Sequence, residues 1–273
     1  MKLNLEDIRA TARHIAYSAG GILRAYFEGT ITEDIKSSNI DIVTEADKDA
    51  EAYITRRLLD IYPDTHIVGE EGGGYGAPIE EATYRWYIDP VDGTTNFANK
   101  LPMFAISMAL TDAHMTPLIG VVYAPIMNEM FTASTGNGAT LNDVPIHVGR
   151  KSTLRESVLA TGFPYHRATT KDSNLDRFGA FLVKCRGMRR YGSAAIDLAY
   201  VANGRFDGFW ESYLNPWDLL AGALLVKEAG GIVSDYRGGT DPQATYQNGD
   251  IIAANASIHG EMCNVLAEVH ERD

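Results

Sequence analysis

Cysteine is scarce in this 273-residue chain, which holds only Cys185 and Cys263. They lie far apart, so neither a disulfide scaffold nor a CxxC redox or metal site can be built from them. Basic charge is also short: 24 Lys and Arg stand against 36 Asp and Glu, a formal net charge of −12. That sign argues against a protein whose main partner is nucleic acid, because the dominant attraction there is to phosphates. No stretch reaches the roughly 18 apolar residues of a membrane span. Glu6, Asp7, Arg9 and Arg13 stand where a signal peptide needs an apolar run, so a soluble, cytoplasmic protein is the expectation. Familiar catalytic signatures are missing as well: there is no Walker A sequence, no GxGxxG after a strand, no GxSxG elbow and no HExxH. The seven histidines are scattered and read as surface or core positions.

What is present is a hydrophobic fraction of 45%, enough core for one large domain or two ordinary ones. Leu5, Ile8, Ala12, Ile15, Ala19, Ile22 and Tyr26 recur at steps of three and four, which predicts an amphipathic helix ending near Gly29. After a polar stretch, Thr44 and Asp47 have capping-box spacing and open a helix with Ala50, Ile54, Leu58 and Ile61 inward. His66 to Gly69 reads as a short strand, and Glu70-Glu71 with the glycines at 72 to 74 as a flexible surface loop. Arg85 to Ile88 reads as a strand stopping at Asp89-Pro90, and apolar runs at 104–110, 118–123 and 129–132 form an antiparallel meander. Past residue 150 strands (158–161, 206–210, 232–233, 251–253) alternate with helices (178–183, 194–203, 216–229). The fold expectation is thus an α+β half over 1–150 and an α/β half over 151–273. No linker separates them, so they should pack into one body.

The richest constellation is Asp89-Pro90-Val91-Asp92-Gly93-Thr94-Thr95-Asn96. Two carboxylates three residues apart on a Pro-Gly turn, with the Val91 carbonyl between them, make an all-oxygen donor set for a hard divalent cation. Gly93, Thr94 and Thr95 can aim helix-opening N–H groups at an anion. Other acids have plain explanations when taken singly. Asp47 caps a helix, Glu70 and Glu71 solvate a loop, and Asp218 supports a helix behind Pro216. Ser193 reads as an N-cap, Lys36 as a surface lysine, and Arg189-Arg190 as a solvated pair rather than a receiver of a second phosphate.

Collectively the segments resemble the inositol monophosphatase family, within the larger group of Mg²⁺-dependent, lithium-sensitive phosphatases that includes fructose-1,6-bisphosphatases. They are DIVTEAD (41–47), GEE (69–71), WYIDPVDGTTNF (86–97), GSAA (192–195), WDLLAG (217–222) and EAGG (228–231), in the family's order over nearly the whole chain. The resemblance implies a layered α/β/α/β/α sandwich, usually a homodimer, binding two or three Mg²⁺ with Mn²⁺ as a substitute. It assigns Glu70, Asp89, Asp92, Asp218 and the Val91 carbonyl as metal ligands. Asp47 pairs with Thr94 to orient an attacking water with Glu70, and Gly93, Thr94 and Thr95 bind phosphate. Gly192, Ser193, Ala194 and Glu211, with Val91, Asp92 and Asp218, contact the substrate, and Lys36 sits in a mobile loop over the site. The implied reaction is hydrolysis of myo-inositol monophosphate. Fructose-1,6-bisphosphate, NADP, 3′-phosphoadenosine 5′-phosphate and histidinol phosphate are alternative substrates, and a regulatory partner of the transcription machinery is the alternative of another class.

Overall fold

The structure is a computed structural model that describes residues 4–38, 41–170 and 172–270. The N-terminal stripe forms α1 (Leu5–Glu28), with Leu23 rather than Ile22 as its last fully buried side chain. The polar stretch after it, where no element was expected, is an antiparallel hairpin of β1 (Glu33–Ser38) and β2 (Asp41–Thr44). The side chains of Asp41 and Ile42, part of the DIVTEAD segment, lie outside the described residues. The Thr44/Asp47 capping box opens α2 (Glu45–Ile61), which buries Ala50, Ile54 and Leu58. Ile61, expected inward, is exposed at the end of the helix.

Next come β3 (His66–Gly69), β4 (Gly73–Gly76), β5 (Tyr84–Asp92), α3 (Thr94–Ala98), β6 (Ala105–Asp112), β7 (Pro117–Ala124), β8 (Glu129–Ser134), β9 (Ala139–Leu141) and β10 (Val144–Pro145). The glycine run expected as a loop is β4, an edge strand paired antiparallel with β3. β5 does not stop at Asp89 but continues to Asp92, its register against β6 breaking between Asp89 and Asp92. Pro90 has no N–H to give to a ladder, so the strand bulges there and turns its acids out of register. The order across this eight-stranded sheet is β10-β9-β8-β7-β6-β5-β3-β4.

The rest of the chain supplies β11 (Val158–Thr161), α4 (Leu175–Leu182), β12 (Gly187–Arg189), α5 (Ala194–Ala202), β13 (Gly208–Glu211), α6 (Pro216–Glu228), β14 (Ile232–Ser234), α7 (Pro242–Asn248), β15 (Ile251–Ala254) and α8 (His259–His270). A five-stranded sheet runs β12-β11-β13-β15-β14. The short elements β9, β10, β12 and α7 and the terminal α8 had no strong sequence signal.

Strand periodicity sorts the layers. On β7, Ile119, Val121 and Tyr123 face α1 and α2, whereas Val122 and Ala124 join α5 and α6. On β15, Ile251 and Ala253 meet α5 and α6 from the other side, and Ile252 and Ala254 pack with Phe181 of α4 and Met262 and Leu266 of α8. The result is α1–α2, sheet, α5–α6, sheet, α4–α8, the layered sandwich that the sequence led us to expect. No helix among the described residues is long and apolar enough to cross a membrane.

The middle helices are buried on all sides: every residue of α5 is buried, as is Leu219 to Val226 of α6. Small residues let them fit. A Cβ at Gly222 would lie 2.5 Å from Leu198 Cβ, and one at Gly120 would lie 2.7 Å from the Ala221 carbonyl oxygen. Helix propensity favours Ala over Gly by about 1 kcal/mol, whereas overpacking a tight core costs about 1–3 kcal/mol. Packing should prevail at Gly222, because the clash is with the base of Leu198 and not its flexible end. We expect Gly222→Ala to lower the urea unfolding midpoint; an unchanged or higher midpoint would show that α5 and α6 can part.

Candidate active site

β5 ends, and α3, α5 and α6 begin, around one cavity of about 160 Å³. Eleven residues expected at a site line it: Glu70, Asp89, Val91, Asp92, Gly93, Thr94, Gly192, Ser193, Ala194, Glu211 and Asp218. Asp47 stands behind this wall and Lys36 reaches it from the β1–β2 hairpin. Thr95 is exposed and is not part of the lining; its carbonyl accepts from the Asn99 backbone and side chain.

Local folding holds each acid. The Asp89 carboxylate accepts from the Val91 N–H at 2.8 Å across the bulge. Asp92 Oδ2 accepts from the Ser193 hydroxyl at 2.8 Å and the Ala195 N–H at 2.5 Å, so the start of α5 is fastened to the end of β5. Asp218 closes a capping box by accepting from the Asn215 N–H at 2.7 Å, with Pro216 opening α6. Asp47 serves twice. Its Oδ2 accepts from the Thr44 N–H and hydroxyl, and its Oδ1 lies 3.2 Å from the Thr94 hydroxyl. The same hydroxyl is 3.1 Å from the Val91 carbonyl oxygen, so its single proton is shared between two acceptors. Asp47, Asp218 and Ser193 therefore cap their helices, and Asp218 and Ser193 also line the cavity, with Asp47 behind them.

Glycine is required where loops meet. Gly93 has φ +102°, and a Cβ there would lie 2.9 Å from the Met103 carbonyl oxygen and 3.2 Å from that of Gly192. Asn96 Nδ2 donates to the Met103 and Tyr191 carbonyls at 2.6 and 2.7 Å, which holds the Gly192 loop beside α3. Lys36 Nζ is 2.9 Å from Glu70 Oε1 and also bonds Glu71.

Electrostatics set the character of the cavity. Asp89 and Asp218 are pushed well above the usual carboxylate range, first by burial and then by neighbouring acids, Glu70 and Asp92 for both. Asp92 and Asp47 are raised to about 6, mainly by burial against opposing hydrogen bonds. Glu211 is raised to about 8 by burial, with Arg190 pulling it down and Asp92 pushing it up. A concentration of buried carboxylates that repel one another is the electrostatic shape of a cation site.

Among the described residues no group of three or more His, Cys, Asp or Glu forms a finished metal cage. The acids line an open cavity instead, and their oxygens are engaged with protein donors. Such an arrangement fits Mg²⁺, which is commonly held by one or two carboxylates while keeping waters and binding substrate phosphate oxygens. Val91 supplies a carbonyl, and Asp89, Asp92, Asp218 and Glu70 supply hard carboxylate oxygens.

Sequence reasoning missed several lining residues. Asp197 forms part of the wall, as do Phe163, His166 and Tyr213; His166 is thus not merely a surface or core histidine. His166 and Tyr213 meet edge to face, their ring centres 4.7 Å apart. Arg189 and Arg190 are both exposed, as expected of a solvated pair, but Arg190 also lines the cavity and packs on Gly192. Glu51, 2% exposed, accepts from the Glu71 and Gly72 N–H groups at 2.9 and 2.7 Å and from the Tyr75 hydroxyl, and so holds the turn carrying Glu70. Its helical position next to a glycine-rich turn gave no signal in sequence.

A five-layer sandwich with an acidic cavity at the end of β5 is an architecture of the sugar-phosphatase type. The sequence matches the inositol monophosphatase family over residues 4–271, and the chain belongs to that family. It is 46% identical to inositol-1-monophosphatase of Synechocystis over 83% of this chain and 77% of that protein. It is 42% identical to Nus factor SuhB of Salmonella typhimurium over 89% of each. The structure of an inositol monophosphatase from Anabaena superposes with a TM-score of 0.86 at 38% identity, covering 97% of both chains. Membership in this metal-dependent family supports a phosphoric monoester hydrolase.

A stability test follows from Glu211. Its folded pKa of about 8 lies above the ordinary 4.5, so the folded protein keeps a proton that the unfolded chain releases between those values. The stability contributed by that proton is complete below pH 4.5 and is lost as pH rises through 8. Denaturation at pH 5, 7 and 8.5 should show wild type losing stability relative to Glu211→Gln as pH increases; parallel profiles would show that Glu211 is not protonated in the fold.

Proposed function

We propose that this protein is a Mg²⁺-dependent phosphomonoesterase that hydrolyses myo-inositol monophosphate to myo-inositol and phosphate. The observation carrying this reading is the meeting of Glu70, Asp89, Asp92 and Asp218 in one cavity with Thr94 and the start of α5. Uncatalysed hydrolysis of a phosphate monoester is among the slowest biological reactions, and charge neutralisation and positioning are what a protein can contribute.

Glu70, Asp89, Asp92, Asp218 and the Val91 carbonyl would hold the metal. Bound Mg²⁺ supplies charge neutralisation on the phosphate and leaving oxygens and makes water a better nucleophile. The chain's own groups do the rest. Asp47 accepts from Thr94 and so fixes that hydroxyl with a lone pair free, able to take a proton from a water in the cavity as it passes its own to the Asp47 carboxylate. Glu70, across the cavity, is the second group able to orient that water once Lys36 yields it. Gly93 and Thr94 receive phosphate, and Glu211, Gly192, Ser193 and Ala194 face the polyol.

Asp92→Asn should preserve the hydrogen bonds to Ser193 and Ala195 and hence the fold, yet lower Mg²⁺-dependent kcat/KM by at least about 10²-fold. Undiminished phosphate release by a folded variant would sink the assignment.

A panel of inositol-1-phosphate, fructose-1,6-bisphosphate, 3′-phosphoadenosine 5′-phosphate, NADP and histidinol phosphate at fixed Mg²⁺ tests the substrate. Inositol-1-phosphate should give the highest kcat/KM, and Li⁺ should inhibit by competing for a metal position. A second reading, a regulatory partner of the transcription machinery, draws on the likeness to Nus factor SuhB. Capture of RNA polymerase by Asp92→Asn protein would separate that role from catalysis.

A further inference from the structure

One acid in the cavity belongs neither to the metal set nor to the residues that the family resemblance places at the site. Asp197 is the fourth residue of α5, and its N–H donates to the Ser193 carbonyl at 3.0 Å. Its side chain therefore lies one turn along the helix from Ser193 and on the same face, toward the cavity that both residues line.

Asp197 is only 1% exposed, and its Oδ1 is buried with no hydrogen-bond partner among the described residues. Buried carboxylate oxygens are ordinarily satisfied, because an orphaned acceptor forfeits its hydration with nothing in return. The nearest charges do not satisfy it. Glu211 and Asp92 repel it, and Arg190 attracts it without bonding to that oxygen. Glu211 stands over Gly162, where a Cβ would lie 1.9 Å from its Oε1, so that wall too is shaped to admit a carboxylate. Two carboxyl groups, Asp197 buried and Glu211 half-buried, and the Arg190 guanidinium thus share one end of the cavity.

We propose that Asp197 is a specificity-determining residue that accepts a hydrogen bond from a hydroxyl of the leaving alcohol, working with Glu211 to select phosphate esters of polyhydroxylated rings. The inference rests on the phosphatase reading above. A polyol presents several O–H donors on adjacent carbons, and a site built to accept them discriminates strongly against an ester that lacks them, since the acceptors are then left unpaired.

The test compares wild type, Asp197→Asn and Asp197→Ala on inositol-1-phosphate and on p-nitrophenyl phosphate, whose leaving group has no such hydroxyls. Binding of free myo-inositol is measured by calorimetry alongside. For Asp197→Ala, kcat/KM should fall about 10- to 100-fold more on inositol-1-phosphate than on p-nitrophenyl phosphate, mostly through KM. Asp197→Asn, which keeps one acceptor oxygen, should lose less. Equal losses on both substrates, or none on either, would overturn the proposal and leave Asp197 a structural residue. Thermal unfolding of each variant checks that a loss is not one of folding, and a folded Asp197→Asn still decides the matter where Asp197→Ala does not fold. Should wild type hydrolyse neither ester, the phosphatase reading fails. The calorimetry then still judges Asp197: weaker myo-inositol binding by the variants supports its role and undiminished binding overturns it.

Discussion

Asp89 and Asp92 are buried and Asp218 half-buried beside Glu70, and loss of water together with mutual repulsion drives their carboxyls toward the protonated form. Much of the structure serves to keep them together despite this. The bulge at Pro90 turns Asp89 and Asp92 to the same cavity, the start of α5 binds Asp92, and the capping box of α6 binds Asp218. Each of those hydrogen bonds favours the charged form and so offsets part of the desolvation cost. What they leave uncompensated is a net negative charge, which would repel phosphate, itself an anion, until divalent cations neutralise it.

Lys36 is a partial counter-ion of another kind. The β1–β2 hairpin delivers its ammonium to Glu70 and Glu71, and those two acids raise its pKa against the opposing effect of burial. Glu51 meanwhile grips the turn below from the other side through two backbone N–H groups. Glu70 is thus poised between a lysine on a surface hairpin and a turn clamped to α2, an arrangement in which one acid can change partner without the sheet being disturbed.

The central α5–α6 layer ties the cavity to the core. Ser193, Ala194 and Asp218 sit at the first turns of helices whose middle turns are mostly apolar and enclosed, so a shift in how those helices pack is felt directly at the acids. Gly222 and Gly120 allow backbones to approach closely there. The two sheets come from different halves of the chain, yet one core cluster draws Val122 and Phe131 from the first and Phe209 and Ile251 from the second. The halves are in that sense not separable, because the buried helix pair is shared.

Much of this was legible in sequence wherever the cause is local. The α1 stripe, the α2 capping box, the meander of β6 to β8 and the Pro216 start of α6 each follow from residues within a few positions of one another, and the motif residues from Asp89 to Thr94 lie on a single turn. Elements set by distant partners were not legible. A glycine run becomes β4 because β3 is beside it, and a polar stretch becomes a hairpin that places Lys36 on Glu70. Asp197 and Arg190 line the cavity only because α5 and the loop before it are held against α3 by Asn96. By itself the sequence determined which residues carry the chemistry, since donor type and turn geometry are written locally. Only the tertiary structure decided which of them share a cavity, which lose their water and which are left without a partner, because burial and electrostatic coupling depend on distances between segments that no local spacing encodes.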